Sequence, residues 1–155
     1  MTTTTKRRGT TFIPDSSNPT QEKFICYIMK QGKKSIARRI FNDTLKQISK
    51  KTNQDPEKIF KLAIEKISPQ LEVKPKRVGG AVYQIPFEVK PGRQLALSFR
   101  WILAAARGRK GADMATRLAQ ELIDASNEQG LAIKKKIDTE KMAQANKAFA
   151  HFAKY

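Results

Sequence analysis

The chain has 155 residues, 39% of them hydrophobic, and sets 31 Lys and Arg against 14 Asp and Glu, a formal net charge of +17. A field of that size attracts polyanions and sets copies of the chain against one another, so nucleic acid or an anionic membrane is the partner class to weigh and no homo-oligomer is expected. No apolar run approaches the roughly 20 residues of a spanning helix, the N-terminus lacks the apolar core of a secretory signal, and the lone Cys26 excludes an internal disulfide and a cysteine-based zinc site.

Residues 1–17 carry Lys6, Arg7 and Arg8 among threonines, with little to bury, and read as a flexible basic arm that orders on a polyanion. Residues 18–155 are expected to form one helical nucleic-acid-binding domain. Asn18-Pro19-Thr20-Gln21 has the form of a helix start, with Asn18 as N-cap and Pro19 at the first helical position, and Gly32 is expected to stop that helix. Ile36, Ala37, Ile40, Phe41, Thr44, Leu45 and Ile48 repeat at helical spacing and predict a second helix, with Arg38, Arg39, Lys46 and Lys50 off the stripe. A third starts at Asp55-Pro56, turns Ile59, Phe60, Ala63, Ile64 and Ile67 inward, and ends at Ser68-Pro69.

After Pro69 the period changes to two: Tyr83, Ile85, Phe87 and Val89 fall on one side of an extended segment whose partner runs from Leu71 to Val78. Gly79-Gly80 supplies the positive-φ pair of a tight hairpin, and Pro75 and Pro86 suit a two-stranded ribbon rather than a wide sheet. From Pro91 the helical period returns through Leu95, Phe99, Ile102, Leu103 and Ala106. A fifth helix is predicted to about Gln129, with Asp113, Glu121, Asp124 and Glu128 against Arg117 alone; that acidic face should point away from nucleic acid. Lys134-Lys135-Lys136 then reads as a loop, with Asp138 capping a last helix that turns Met142, Ala145 and Phe149 inward. The expected fold is mainly α, about six helices with a protruding two-stranded antiparallel ribbon.

Titratable groups that could converge on a reaction are scarce. His151, the only histidine, lies near the chain end before Phe152 and reads as a partly exposed structural or RNA-contacting residue rather than a general base. Cys26 sits in the apolar run Phe24–Met29 and is expected in the core. Gly32-Lys33-Lys34-Ser35 departs from a phosphate loop, with Tyr27 where the earlier glycine belongs and Lys34 where a magnesium-holding Ser or Thr belongs. A glycine turn remains, presenting two lysines ahead of a helix N-terminus; it suits a phosphate and equally a solvated turn. No catalytic residue, metal site or cofactor is expected.

The cations cluster on particular elements. Arg93, Arg100 and Arg107 are seven apart and form one stripe along the fourth helix, followed by Arg109 and Lys110, and no Asp or Glu occurs between Lys90 and Gly111. A solvated basic face is the ordinary origin of such a stripe; the missing acids favour a polyanion. On the ribbon, Lys74, Lys76 and Arg77 accompany Tyr83, and an isolated ribbon is too small to be stable in water. It either lies on the helices or projects into a nucleic-acid groove, where cations meet phosphates and Tyr83 stacks on a base; the two prolines favour projection. With the Lys33-Lys34 turn and Lys134, Lys135 and Lys136, these clusters suggest multipoint contact with a folded RNA.

Gly32-Lys-Lys-Ser35, Val73-Lys-Pro-Lys-Arg-Val-Gly-Gly-Ala-Val-Tyr-Gln-Ile-Pro-Phe-Glu-Val89, the Arg100-Trp101 pair, Ala132-Ile-Lys-Lys-Lys136 and Met142 through His151 together resemble the bacterial-type small-subunit ribosomal protein seven family, over nearly the whole chain from about Ile13. The resemblance implies a helical domain with a protruding ribbon that binds the 3′ major domain of small-subunit rRNA and nucleates assembly of the subunit head. It implies rRNA contacts at Lys33, Lys34, Lys76, Arg77, Arg93, Arg100 and Lys134 to Lys136. It also implies a ribbon tip of Arg77, Val78, Gly79, Gly80, Tyr83 and Gln84 near exit-site tRNA and mRNA, neighbouring head and platform proteins, and a ribosome of the bacterial cytoplasm or of an organelle that encodes the chain. The chain departs from the family's usual pattern with four N-terminal threonines, Glu140 in place of a histidine, and the ending Phe152-Ala-Lys-Tyr155. The rival from another class is a DNA-architectural protein with basic β-arms; such arms kink duplexes with an apolar wedge, and Gly79-Gly80 offers none.

Overall fold

The computed structural model describes residues 18–154, so the basic arm expected at Lys6, Arg7 and Arg8 lies outside the described residues. The chain runs α1 (Pro19–Ile28), α2 (Lys34–Thr52), α3 (Pro56–Ile67), β1 (Leu71–Val78), β2 (Ala81–Glu88), α4 (Pro91–Gly108), α5 (Met114–Ser126) and α6 (Leu131–Ala145), then a 3-10 segment, Lys147–Lys154. Mainly α with one antiparallel ribbon is therefore the observed class.

Two helix starts follow from local chemistry. The Asn18 side chain accepts from Gln21 N at 2.9 Å, and Asp55 Oδ1 accepts from Glu57 N at 3.0 Å, each relieving one orphan N–H ahead of a proline that has none to offer. α1 stops at Ile28, before the expected Gly32, because Gln31 (φ 52°) and Gly32 (φ 72°) both enter the left-handed region and build the turn that leads into α2. The glycine shapes a turn rather than capping a helix.

α5 packs against α2, α3 and α4, and the core runs between them. At its centre four phenylalanines converge: the Phe24 ring lies 5.8 Å from Phe41, 5.1 Å from Phe60 and 4.9 Å from Phe99, all tilted or edge-on. Each such pair adds about 0.5–1.5 kcal/mol beyond the area it buries. The apolar positions expected on α3 are all buried, whereas Ile36 on α2 is 49% exposed at the edge of its stripe. Cys26, expected in the core, is exposed, because α1 turns Phe24, Ile25 and Ile28 inward with Gln21 and Glu22.

The ribbon pairs Leu71 with Glu88 through to Val78 with Ala81, and Gly79 (φ 58°) and Gly80 (φ 89°) make the turn. Both φ values are positive, the geometry that matches the twist of the strands and that side chains resist. Its base lies on the protein: Ile85 is fully buried, Val89 and Glu72 nearly so, and α6 and the 3-10 segment pack against it. Its tip projects, with Val82 65% exposed. The ribbon thus lies on the helices at its base, the 3-10 segment reaches as far as Tyr83, and the residues around the turn are exposed.

The last helix begins earlier than the sequence predicts, at Leu131. Lys134, Lys135 and Lys136 lie inside α6 rather than in a loop, and Asp138 is mid-helix rather than its cap. The helix starts at Gly130 (φ 94°), because a carboxylate on α5, Glu121, accepts from Ala132 N at 2.9 Å. The cap comes from another helix, so no local motif announces it. Met142 is half-exposed and Ala143 takes the inward place, while Phe149 leaves the helix and sets its ring 5.2 Å from Tyr83.

Candidate nucleic-acid interface

Carboxylates divide the cations into two groups. Glu22, whose side chain is 1% exposed, receives Lys34 Nζ at 2.9 Å and Arg38 Nη2 on both oxygens at 2.9 and 3.0 Å. Glu72, at the base of the ribbon, receives Lys74 Nζ at 3.0 Å and Arg93 Nη2 at 3.2 Å. Arg109 donates Nε and Nη2 to Glu121 Oε2 at 2.9 and 2.7 Å and also bonds Asp124. Burial pushes both Glu22 and Glu72 up, but hydrogen bonds from their cations, and the charges behind them, outweigh it and hold both carboxyls below the usual range. Burial likewise pulls Arg109 down, and its bonds to Glu121 and Asp124 more than restore it, leaving the guanidinium more firmly charged than usual.

Four candidates, Lys34, Lys74, Arg93 and Arg109, therefore have carboxylate partners. The acids missing between Lys90 and Gly111 are supplied by the ribbon before that stretch and α5 after it. The expected acidic face of α5 dissolves for the same reason: Glu121 is fully buried on Arg109, Asp124 joins it, and Glu128 pairs with Lys66 at 3.2 Å. Asp113 stays exposed, its carboxyl held low chiefly by the Thr116 side chain.

Lys33, Arg77, Arg100, Arg107, Lys110, Lys134 and Lys135 are exposed, and none of them forms a salt bridge among the described residues. Lys136 differs from its neighbours, donating Nζ to Lys66 O at 2.8 Å. Lys76 stands opposite Tyr83 in the ladder, Val78 opposite Ala81, and Gln84 opposite Pro75.

α4 joins these groups. Arg93 at its start is bonded to Glu72 of the ribbon base, and Arg107 near its end lines a cleft of about 420 Å³ with Lys33. The fourteen residue steps from Arg93 to Arg107 span ~21 Å at helical rise, with Arg100 midway. Lys30 and Arg117 also line the cleft, together with Met29, Ile36, Ile40 and Met114. Arg117 donates Nη1 to Arg109 O at 2.7 Å, which turns it toward the loop after α4. Neither Lys30 nor Arg117 was legible as a site residue: one follows an apolar run, the other looked like the lone cation of an acidic helix. Four cations and six apolar side chains in one lining, with no acid among them, can hold phosphates beside an unstacked base.

Among the described residues no group of three or more His, Cys, Asp and Glu could hold a metal ion, and no helix is long and apolar enough to cross a membrane. Residues 2–147 match the family model described as ribosomal protein S7p/S5e. The chain is 53% identical over 125 residues to small ribosomal subunit protein uS7 of Acaryochloris marina, covering 81% of this chain and 80% of that one. It is 54% identical over 130 residues to the uS7 protein of Thermodesulfovibrio yellowstonii, covering 84% and 83%. It is 49% identical over 146 residues to that of Moorella thermoacetica, covering 94% of each.

Proposed function

Because the chain belongs to the ribosomal protein S7p/S5e family, we propose that it is a structural constituent of the small ribosomal subunit that binds the 3′ major domain of small-subunit rRNA directly and nucleates assembly of the head. The observation that carries this reading is the line of cations along α4, tied to the ribbon at Arg93 and to the Lys33 cleft at Arg107. A line about 20 Å long spans several phosphates, since each strand of a B-form duplex carries one phosphate per ~3.4 Å of helix axis.

Lys33, Arg77, Arg100, Arg107, Lys110, Lys134 and Lys135 serve as phosphate contacts, joined by Lys30, Lys76 and Arg117. Lys34, Lys74, Arg93 and Arg109 first hold their elements in place through carboxylates and reach RNA only with the donors left over. Lys6, Arg7 and Arg8 of an arm over residues 1–17 extend the contact beyond a domain of residues 18–155. The tip, from Arg77 and Val78 through Gly79 and Gly80 to Tyr83 and Gln84, with Val82 65% exposed beside the turn, suits a site beside exit-site tRNA and mRNA, with head and platform proteins as further neighbours in a bacterial or organellar ribosome.

The test is binding of the purified chain to the rRNA 3′ major domain and to duplex DNA at one salt concentration. Tight, strongly salt-dependent binding to the rRNA, with far weaker binding to DNA, is expected. Equal affinity together with bending of the duplex sinks the reading in favour of a DNA-architectural protein.

A further inference from the structure

The joint between α5 and α6 is built around one carboxylate. Glu121 is fully buried; its Oε2 accepts from Arg109 Nε and Nη2, and its Oε1 accepts at 2.9 Å from the N–H of Ala132 in the first turn of α6. Gly130, just ahead, has φ +94°, and a Cβ there would stand 2.9 Å from the same Oε1. The loop after α4 and the start of α6 are thus tied to each other through a residue that belongs to neither.

α6 needs such a tie because its apolar face is small. Its buried residues are Ala132, Ile133 and Ala143, while Leu131, Ile137 and Met142 are 55%, 43% and 50% exposed. At ~0.8 kcal/mol per buried CH₂, two alanines and one isoleucine set the rotation of a helix weakly. A turn of one residue position, ~100° about the axis, would carry Lys134 and Lys135 to a different side. A directional bond to a charged acceptor opposes that rotation, and Lys136 Nζ on Lys66 O, at 2.8 Å, holds the next turn.

We infer that Glu121 is a positioning residue for the nucleic-acid surface: by tying the first turn of α6 to Arg109 it fixes the direction in which Lys134 and Lys135 leave the protein. The inference rests on the rRNA reading above. Its test uses the full chain with Glu121→Gln and, separately, Gly130→Ala, which disturbs the joint from the other side while leaving every charge in place. Each is expected to lower the slope of log K against log salt for the rRNA 3′ major domain by about two, matching the double variant Lys134→Ala/Lys135→Ala. Combining either with that lysine pair should cost no further slope. In the free protein, amides at 131–137 should exchange faster while those of α2 and α3 keep wild-type rates.

A simple loss of stability lowers the folded fraction without changing the slope, so an unchanged slope, or losses that add to those of the lysine pair, overturns the inference. Wild-type exchange at 131–137 in both variants overturns it too. If the lysine pair itself leaves the slope unaltered, the reading of α6 as an RNA face falls and the inference falls with it. If the pair lowers the slope while Glu121→Gln and Gly130→Ala do not, only the inference falls.

Discussion

Arg38 closes on Glu22 from one turn into α2, its Nη2 sharing both carboxylate oxygens at 2.9 and 3.0 Å, while Lys34 reaches the same group from the first residue of that helix. One buried acid thus ties α1 to α2 across the Gly32-Lys33 turn. Glu22→Ala strands two cations, and breaking a buried pair costs about 3 kcal/mol here, the low end of the range because both partners keep about a third of their surface in water. Denaturant unfolding should record that loss.

The same pair makes stability depend on pH. Glu22 and Glu72 both titrate below the ordinary range in the folded protein, so their contribution is fully present above the unfolded glutamate value, about 4.3, and is lost as pH falls through the lower folded values. Thermal melts from pH 6 downward should hold nearly level and then drop below roughly pH 4.3. Glu22→Gln should shrink the drop; an unchanged acid limb would show that Glu22 is not its source.

Paired and unpaired cations should separate in RNA binding. Arg100→Ala/Arg107→Ala, at two cations with no carboxylate partner among the described residues, is expected to lower the salt slope by about two with little change in stability, and Arg77→Ala to lower it by about one from the ribbon. Lys34→Ala should weigh the other way, losing stability through Glu22 and lowering the slope by less than one. Binding isotherms across a salt series decide this, and a slope that Arg100 and Arg107 do not affect would remove α4 from the RNA surface.

At the ribbon turn, Gly79 and Gly80 have open space around the missing Cβ, so only backbone conformation resists substitution. Alanine at either should cost about 1 kcal/mol, and asparagine, which tolerates positive φ, distinctly less. Hydrogen exchange along residues 76–84 measures the difference. Equal protection in both variants would mean that the turn does not hold the register.

Phe149, 5.2 Å from Tyr83, is part of what covers the ribbon. Phe149→Ala should raise exchange in β2 and spare α2 and α3, at a cost of about 0.5–1.5 kcal/mol for the ring pair plus lost area. If β2 is as protected as before, the 3-10 segment does not brace the ribbon.

The sequence by itself determined whatever neighbours along the chain decide. The caps at Asn18 and Asp55, the stripe of α3 and the Gly79-Gly80 turn were legible because each rests on contacts two to four residues apart. So was the family, through the ribbon motif and the other segments that carry the resemblance. What only the tertiary structure decided were contacts between residues distant in sequence. Glu22 lies sixteen residues from Arg38, Glu72 twenty-one from Arg93, and Glu121 eleven from the N–H it caps. Those distances hid the partners of Lys34, Arg93 and Arg109, placed the start of α6 before its lysines, and left Arg117 looking like a stray cation. A list of basic residues shows how strongly a chain attracts RNA; which cations remain available to it depends on where the fold brings its few buried acids.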